Sequence, residues 1–308
     1  MKDSRTAADR SRRPRVHVTD RIPDRVWRAL QEDFETADDA TGVDGILASV
    51  TVMVDDSYLD AAGSELKIVA NYGAGVNNID LAAASRRGIV VANTPDVVTA
   101  ATAEFTIALI LALLRRVAEG DRLLRRREPW RFTLEFMLGE SLAGKTLGII
   151  GPGRIGREVA RLAEAFGART LFAGRQEPLA PLLAEADIVS VHCPLTEETR
   201  HLIDADALAQ MKRTAVLVNT ARGGIVDEAA LVAALVAGEL AGAALDVHEH
   251  EPSVAEGLLA LENVLLTPHL GSGTLATRES MGMLAVDALR AVLLDNRLPE
   301  NRVLPPLG

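Results

Sequence analysis

Short apolar runs alternate with amphipathic stretches along most of the chain. Arg15–Val18, Gly45–Ser49 (GILAS), Lys67–Ala70 (KIVA) and Gly88–Ala92 (GIVVA) read as strands, and Pro23–Gln31 and Asp56–Ala62 as helices between them. A clearer series begins near residue 100. Asp96–Val117 reads as one Ala/Leu-rich helix, followed by the apolar runs Thr146–Ile150, Thr170–Ala173, Asp187–Val191, Ala215–Asn219, Ala243–Val247 and Val264–Leu266. Ile155, Val159, Leu162 and Phe166 recur at helical spacing and form one apolar stripe. From Thr274 the pattern reads as a helix and a short tail. Unbroken apolar strands alternating with helices predict an α/β fold, in which a doubly wound parallel sheet carries helices on its faces.

Composition narrows the function classes. With 308 residues, two domains are expected, because domains usually run to about 100–200 residues. A hydrophobic share of 48% is enough for a large core, and the net charge of −10 argues against a general nucleic-acid binder. The single cysteine, Cys193, rules out an internal disulfide and suits a reducing cytoplasm. No signal-peptide pattern is visible in the polar, basic start, and residues 1–13 are expected to form a disordered arm. The longest apolar stretch, Phe105–Leu114, is too short to span a bilayer, so no membrane association is expected.

The strand TLGII runs into Gly151-Pro152-Gly153-Arg154-Ile155-Gly156, a GxGxxG between a strand and an amphipathic helix. In that setting Gly151 permits the tight turn, Gly153 lets a pyrophosphate approach the backbone, and Gly156 lets helix and strand pack closely. The helix N-terminus then offers N–H groups and partial positive charge to the phosphates. The end of the next strand reads Phe172-Ala173-Gly174-Arg175-Gln176. No carboxylate stands near Gly174 in that stretch to bind the ribose hydroxyls, and Arg175 can pair with a 2′-phosphate. NADP(H) is therefore expected as the preferred carrier, with NAD(H) as the alternative.

Three chemical groups follow later strands: Arg222 in NTARGG, Glu251 in DVHEHEP and His269 in TPHLGS. Ligands of open α/β sheets bind beyond the carboxyl ends of the strands. A guanidinium can bind the carboxylate and polarise the ketone of a 2-oxo acid, and an imidazolium can protonate the developing alkoxide. A neighbouring carboxylate favours the charged imidazole and fixes its ring. From the residues alone, Glu249 and Glu251 compete for that acidic role. Cys193 lacks an evident activating base and reads as a small packed thiol. His192, His248 and His250 form no recognisable metal pattern, and no metal is expected.

The segments GPGRIG (151–156), HCPLTEETRHLI (192–203), MKRTAVLVNTARGGIVDE (211–228), LAGAALDVHEHEP (240–252) and NVLLTPHLGS (263–272) resemble the D-isomer-specific 2-hydroxyacid dehydrogenase family. The likeness covers nearly all of the chain beyond about residue 15. It implies Arg222, Glu251 and His269 as the catalytic set, with Glu251 chosen because it directly precedes the proline. It puts Thr102, Arg154, Ile155, Cys193, Pro194, Thr199, Thr220, Ala221, Asp246, Gly271 and Ser272 at the cofactor, beside the glycines of the loop, Gly174, Arg175, Arg222 and His269. The N–H groups of Ala74 and Gly75, in NYGAGVNNID, are implied to hold the substrate carboxylate opposite Arg222 and His269.

The resemblance also implies two Rossmann-like domains. Residues 1–97 with 281–308 would form the substrate domain, with the cofactor domain of residues 98–280 inserted and the active site in the cleft. It implies a homodimer, with Arg115–Gly139 as the dimerisation arm. Within the family the likeness is nearest to glyoxylate/hydroxypyruvate reductases, through AGRQEP (173–178) and the region from Pro268 to Met281. Ala48–Thr51 lacks the arginines that phosphoglycerate dehydrogenases carry near this position. The stretch Pro129–Leu138 is shorter than in many glyoxylate reductases, which leaves the preferred size of the oxo acid open. Another oxo acid, such as phosphohydroxypyruvate, and a catalytically weak NAD(P)H-sensing scaffold are the alternative readings.

Overall fold

The computed structural model describes residues 12–175 and 177–304. Most of the expected N-terminal arm, and Gln176, lie outside the described residues. Arg12 and Arg13 are described, and Arg12 Nη2 lies 3.0 Å from Asp44 Oδ2. The described chain forms two compact units, one made of the residues up to Val98 and those from Thr274, the other of Thr99–Gly273.

The first unit starts with β1 (Arg15–Val18), α1 (Asp24–Asp33), β2 (Glu35–Ala37), β3 (Gly45–Ser49), α2 (Asp56–Ala62), β4 (Ile68–Tyr72), α3 (Leu81–Arg86) and β5 (Val90–Ala92). All five strands run parallel in the order β2-β1-β3-β4-β5. The apolar runs GILAS and IVANY become the central strands β3 and β4, buried on both faces as parallel strands must be. Strand β2 was not expected. Its sequence, ETA, has no apolar run, and its pairing with β1 at the sheet edge supplies what its side chains do not. Asp55 and Asp80 cap α2 and α3, each carboxylate accepting a backbone N–H at 2.8 Å.

The second unit contains α4 (Thr99–Leu114), α5 (Val117–Arg125), β6 (Thr146–Ile150), α6 (Arg154–Ala165), β7 (Arg169–Ala173), α7 (Leu179–Glu185), β8 (Ile188–Val191), α8 (Ala205–Gln210), β9 (Val216–Asn219), α9 (Glu228–Val236), β10 (Gly242–Leu245), α10 (Glu256–Leu259) and β11 (Val264–Leu266). Its six strands are all parallel, in the order β11-β10-β9-β8-β6-β7. Successive side chains of a strand point to opposite faces. Thus Ile149 joins Ile107 and Ile110 of α4 and Val159 of α6, while Ile150 joins Leu182, Leu208 and Leu231 on the other side. Burying one such side chain contributes about 1.5–3 kcal/mol. The two-sided parallel sheets are the α/β architecture read from the sequence.

The expected helix Asp96–Val117 is shorter at both ends, and a second helix that was not expected follows it. Asp96 has a left-handed φ of 69°, and the helix begins only at Thr99. At the far end Arg116 takes a left-handed φ of 53° and redirects the chain into α5, its guanidinium bonded to Glu119 at 2.6 and 2.8 Å. Hydrophobic spacing does not register a single left-handed residue. The last helix, α11 (Leu275–Leu293), belongs to the first unit and packs on α1 and β4. No helix among the described residues is long and apolar enough to cross a membrane.

Candidate active site

In the second unit the chain leaves β6 for β7 on one side and places β8 on the other, so the direction of winding switches between β6 and β8. Crevices at the carboxyl ends of strands at such a switch are where open α/β sheets bind ligands. Gly151 stands there with φ +94°, and a Cβ on it would lie 2.5 Å from the Cys193 amide nitrogen at the end of β8. A Cβ on Gly156 would lie 2.5 Å from the Gly151 carbonyl and 2.8 Å from Ile149 Cγ2. Both glycines are therefore required by the chain's own packing.

Gly153 differs: a Cβ there meets nothing within 4 Å. It is also the N-cap residue of α6, and no side chain caps that helix end. A glycine that the protein's own atoms do not require, beside an uncapped helix N-terminus, fits a phosphate-bearing dinucleotide. The loop after β8 is held by Thr199, whose hydroxyl donates to the Pro194 carbonyl at 2.6 Å. Burial pushes the Cys193 thiol up to about 11, so it stays protonated at neutral pH.

At the end of β7, Arg175 is exposed. The chain then turns back, and the Gly174 N–H donates to the Glu177 carbonyl at 3.2 Å. This turn brings a carboxylate to the strand end: Glu177 Oε2 lies 3.1 Å from where a Gly174 Cβ would stand. Nothing in the sequence marks Glu177, because only the turn makes it a neighbour of Gly174.

Beyond β9 the fully buried Asn219 organises the turn, its amide donating to the Arg222 carbonyl at 2.9 Å and its oxygen accepting from the Ala221 N–H at 3.0 Å. Thr220 Oγ1 lies 2.9 Å from Thr106 Oγ1, which donates to the Thr102 carbonyl at 2.8 Å. Next to Arg222, Gly223 lies so close to the following loop that a Cβ would be 1.9 Å from the His248 carbonyl carbon. Burial lowers the Arg222 pKa, opposed by the charge of Glu251, and the guanidinium stays charged at neutral pH.

After β10, Asp246 is 1% exposed and holds the turn that carries His269. Its carboxylate accepts from the Thr267 hydroxyl at 2.6 Å and from the N–H groups of Leu270 and Gly271 at 2.7 and 2.8 Å. Its carbonyl accepts the His269 N–H at 2.8 Å. His269 takes a left-handed φ of 56°, a backbone state that costs a non-glycine residue about 1 kcal/mol or more. Nδ1 of His269 lies 3.0 Å from Glu251 Oε2, and Glu251 Oε1 accepts the His248 N–H at 3.0 Å. Partial burial raises the Glu251 pKa, but the His269 contact and the His248 N–H outweigh it and leave the carboxyl below its ordinary value.

The structure thus separates the two glutamates that the residues alone left in competition. Glu249 Oε1 pairs with His201 Nε2 at 2.5 Å, and its N–H donates to the buried Glu228 at 2.9 Å. Asn219, Gly223 and Glu228 hold the loops around Arg222 and Glu249; they lie inside the segment 211–228, whose resemblance gave them no role. Among the described residues, no group of three or more His, Cys, Asp or Glu is placed to hold a metal ion.

In the first unit the loop after β4 carries Ala74 and Gly75. Their carbonyls are tied by Asn93 Nδ2 at 2.6 Å and Asn71 Nδ2 at 2.7 Å, and neither N–H has an acceptor among the described residues. Gly73 is required because its Cβ would lie 2.2 Å from Val50 Cγ1.

A doubly wound sheet with this glycine loop defines a dinucleotide-binding protein. Residues 107–271 match the model of the D-isomer specific 2-hydroxyacid dehydrogenase NAD binding domain. The chain is 44% identical over 324 residues to a glyoxylate reductase of Aeropyrum pernix, covering 95% of this chain and 96% of that protein. Among solved structures it is similar to the TT0316 protein of Thermus thermophilus, with TM-score 0.87, 42% identity and coverage of 94% and 100%. It is also similar to an NADPH-dependent glyoxylate/hydroxypyruvate reductase of Sinorhizobium meliloti in complex with NADP and malonate, with TM-score 0.84, 37% identity and coverage of 95% and 97%. The chain belongs to the D-isomer specific 2-hydroxyacid dehydrogenase family, and is an NAD(P)-dependent oxidoreductase of that family.

Proposed function

We propose that the chain reduces glyoxylate and hydroxypyruvate to the corresponding 2-hydroxy acids (D-glycerate from hydroxypyruvate) with NADPH, and that His269 is the acid/base. The observation that carries this reading is the His269–Glu251 pair at 3.0 Å on the strand ends that also present Arg222. NADPH, when bound, supplies the hydride. The N–H groups of Ala74 and Gly75 bind the substrate carboxylate, and Arg222 binds the carboxylate and polarises the ketone. His269 Nε2 gives its proton to the developing alkoxide, and Glu251 stabilises the imidazolium and orients the ring through Nδ1. The printed names of the Aeropyrum and Sinorhizobium relatives support the substrate choice.

Arg175 supports the NADP reading, because an exposed guanidinium at this strand end can pair with a 2′-phosphate. The Glu177 carboxylate at the same strand end is the one observation that favours NAD(H) as a second reading. We further propose a homodimer in which Trp130, Phe132 and Leu134, exposed by 55%, 76% and 87%, are covered by the second copy. Light scattering that reports a monomer at micromolar concentration contradicts that assembly. The catalytic reading is tested with His269→Ala: kcat is expected to fall about 10²- to 10⁴-fold with NADPH affinity retained. Turnover at the wild-type rate overturns the role of His269.

A further inference from the structure

The first unit has its own winding switch. From β1 the chain moves outward to β2, then crosses to β3 on the other side, so the switch lies between β1 and β3. A cavity of about 640 Å³ opens at the carboxyl ends of β1, β3 and β4. Its lining combines the apolar Ile22, Leu47 and Val50 with Arg21, Arg25, Arg28 and Arg278.

The carboxylates of the cavity are largely accounted for. Glu279 Oε2 lies 3.4 Å from Arg25 Nη1. Asp20 accepts the Arg21 backbone N–H at 2.7 Å. Asp24 sits in the first turn of α1, where the helix dipole favours a negative charge. The guanidinium groups of Arg21 and Arg278 have no carboxylate within ion-pair distance among the described residues.

Arg278 is held in place. The Tyr72 hydroxyl, at the end of β4, donates to its carbonyl. Burial pushes that phenol up to about 12, opposed by the nearby Arg278 charge, so it remains a donor. Close packing one turn later fixes α11: a Cβ on Gly282 would lie 2.4 Å from the Tyr72 hydroxyl and 2.5 Å from Val26 Cγ2.

The cavity adjoins the proposed substrate loop through Tyr72 and through Val50, which packs on Gly73. Neighbouring strand ends are about 5 Å apart. In an extended chain three bonds span about 3.8 Å, so the four bonds from C1 to C5 of an oxo acid cover about one of the two strand spacings between β4 and β1, and the arginine side chains have to cover the rest. Resting on the 2-oxo acid reading of Ala74 and Gly75, we propose that this cavity is a subsite for a second carboxylate, so that the enzyme accepts 2-oxo diacids whose far carboxylate is bound by Arg278 with Arg21. Glyoxylate does not reach the subsite, whereas the far carboxylate of a five-carbon oxo diacid does.

The test compares kcat/KM for glyoxylate, 2-oxoglutarate and 2-oxopentanoate, the last having the same carbon count but a methyl end. The wild type is expected to favour 2-oxoglutarate over 2-oxopentanoate by on the order of 10- to 100-fold, the range for a hydrogen-bonded charge. Arg278→Met is expected to remove most of that ratio, and the exposed Arg21→Gln part of it, with 2-oxopentanoate changing far less than the diacid. Glyoxylate reduction together with no preference for the diacid, or a ratio untouched by both variants, overturns the subsite alone. Failure to reduce any oxo acid overturns the 2-oxo acid reading, and the subsite with it.

Discussion

The three glycines of the loop make different demands, and Gly153→Ala separates a ligand's requirement from the protein's. Gly153 has φ −75° and ψ −168°, an extended conformation that alanine adopts without strain. The added Cβ would meet nothing within 4 Å. Stability is therefore expected to be unchanged or raised by about 0.4–1 kcal/mol, through the lower entropy of the unfolded chain. That corresponds to about 2–4 °C in Tm at most. In the proposed NADPH site the same methyl stands where the pyrophosphate approaches the backbone. Overpacking costs about 1–3 kcal/mol, so NADPH affinity is expected to fall about 5- to 150-fold. Gly156→Ala is the contrast. Its Cβ would lie 2.5 Å from a carbonyl and 2.8 Å from Ile149, so it should lose about 1–3 kcal/mol of stability and lower Tm without any cofactor present. Calorimetry and NADPH fluorescence titration on both variants measure these effects. Wild-type NADPH affinity in Gly153→Ala, or a Tm loss as large as that of Gly156→Ala, refutes the reasoning.

Two further expectations concern charge. The Glu251 pKa is depressed below its ordinary value of 4.5, so the carboxylate persists as pH falls and protonates only below that value. Its contribution to stability and to holding His269 is then present above the unfolded pKa and lost as pH drops through the folded one. The Glu251-dependent part of kcat, read as the wild-type-to-Glu251→Gln ratio, should stay level down to about pH 5, and a fall of that ratio centred near pH 6 contradicts the assignment. At the carboxyl end of β7, Glu177→Gln removes a negative charge beside Gly174, and under the proposed cofactor site the NADPH-to-NADH ratio of kcat/KM should rise several-fold. Arg175→Ala should lower the same ratio about tenfold, the worth of one charge-assisted bond; a ratio that falls in Glu177→Gln or rises in Arg175→Ala discredits this account of the site.

The parts of the molecule with local sequence causes were readable in advance. β6 and its glycine loop are one apolar run meeting a motif whose turn needs glycine, and β3, β6 and β11 appear with the bounds their apolar runs suggested. Arg222, Glu251 and His269 stood out because each follows a strand. What escaped was set by geometry. The residues alone left Glu249 and Glu251 open, and only the resemblance chose Glu251; the physical difference is which carboxylate faces His269 and which faces His201. Glu177 reaches Gly174 only through a turn, and Asp246 holds the His269 loop through three bonds that spacing cannot reveal. β2 and the break at Arg116 lack a hydrophobic signature, since pairing and one left-handed residue decide them.

The central claim is tested most directly by following NADPH oxidation with the purified protein and glyoxylate, hydroxypyruvate, pyruvate or 3-phosphohydroxypyruvate, and assigning the configuration of the chiral products. The account expects fast turnover of glyoxylate and hydroxypyruvate, with D-glycerate formed from the latter. The L enantiomer, or no turnover of either substrate despite NADPH binding, contradicts it.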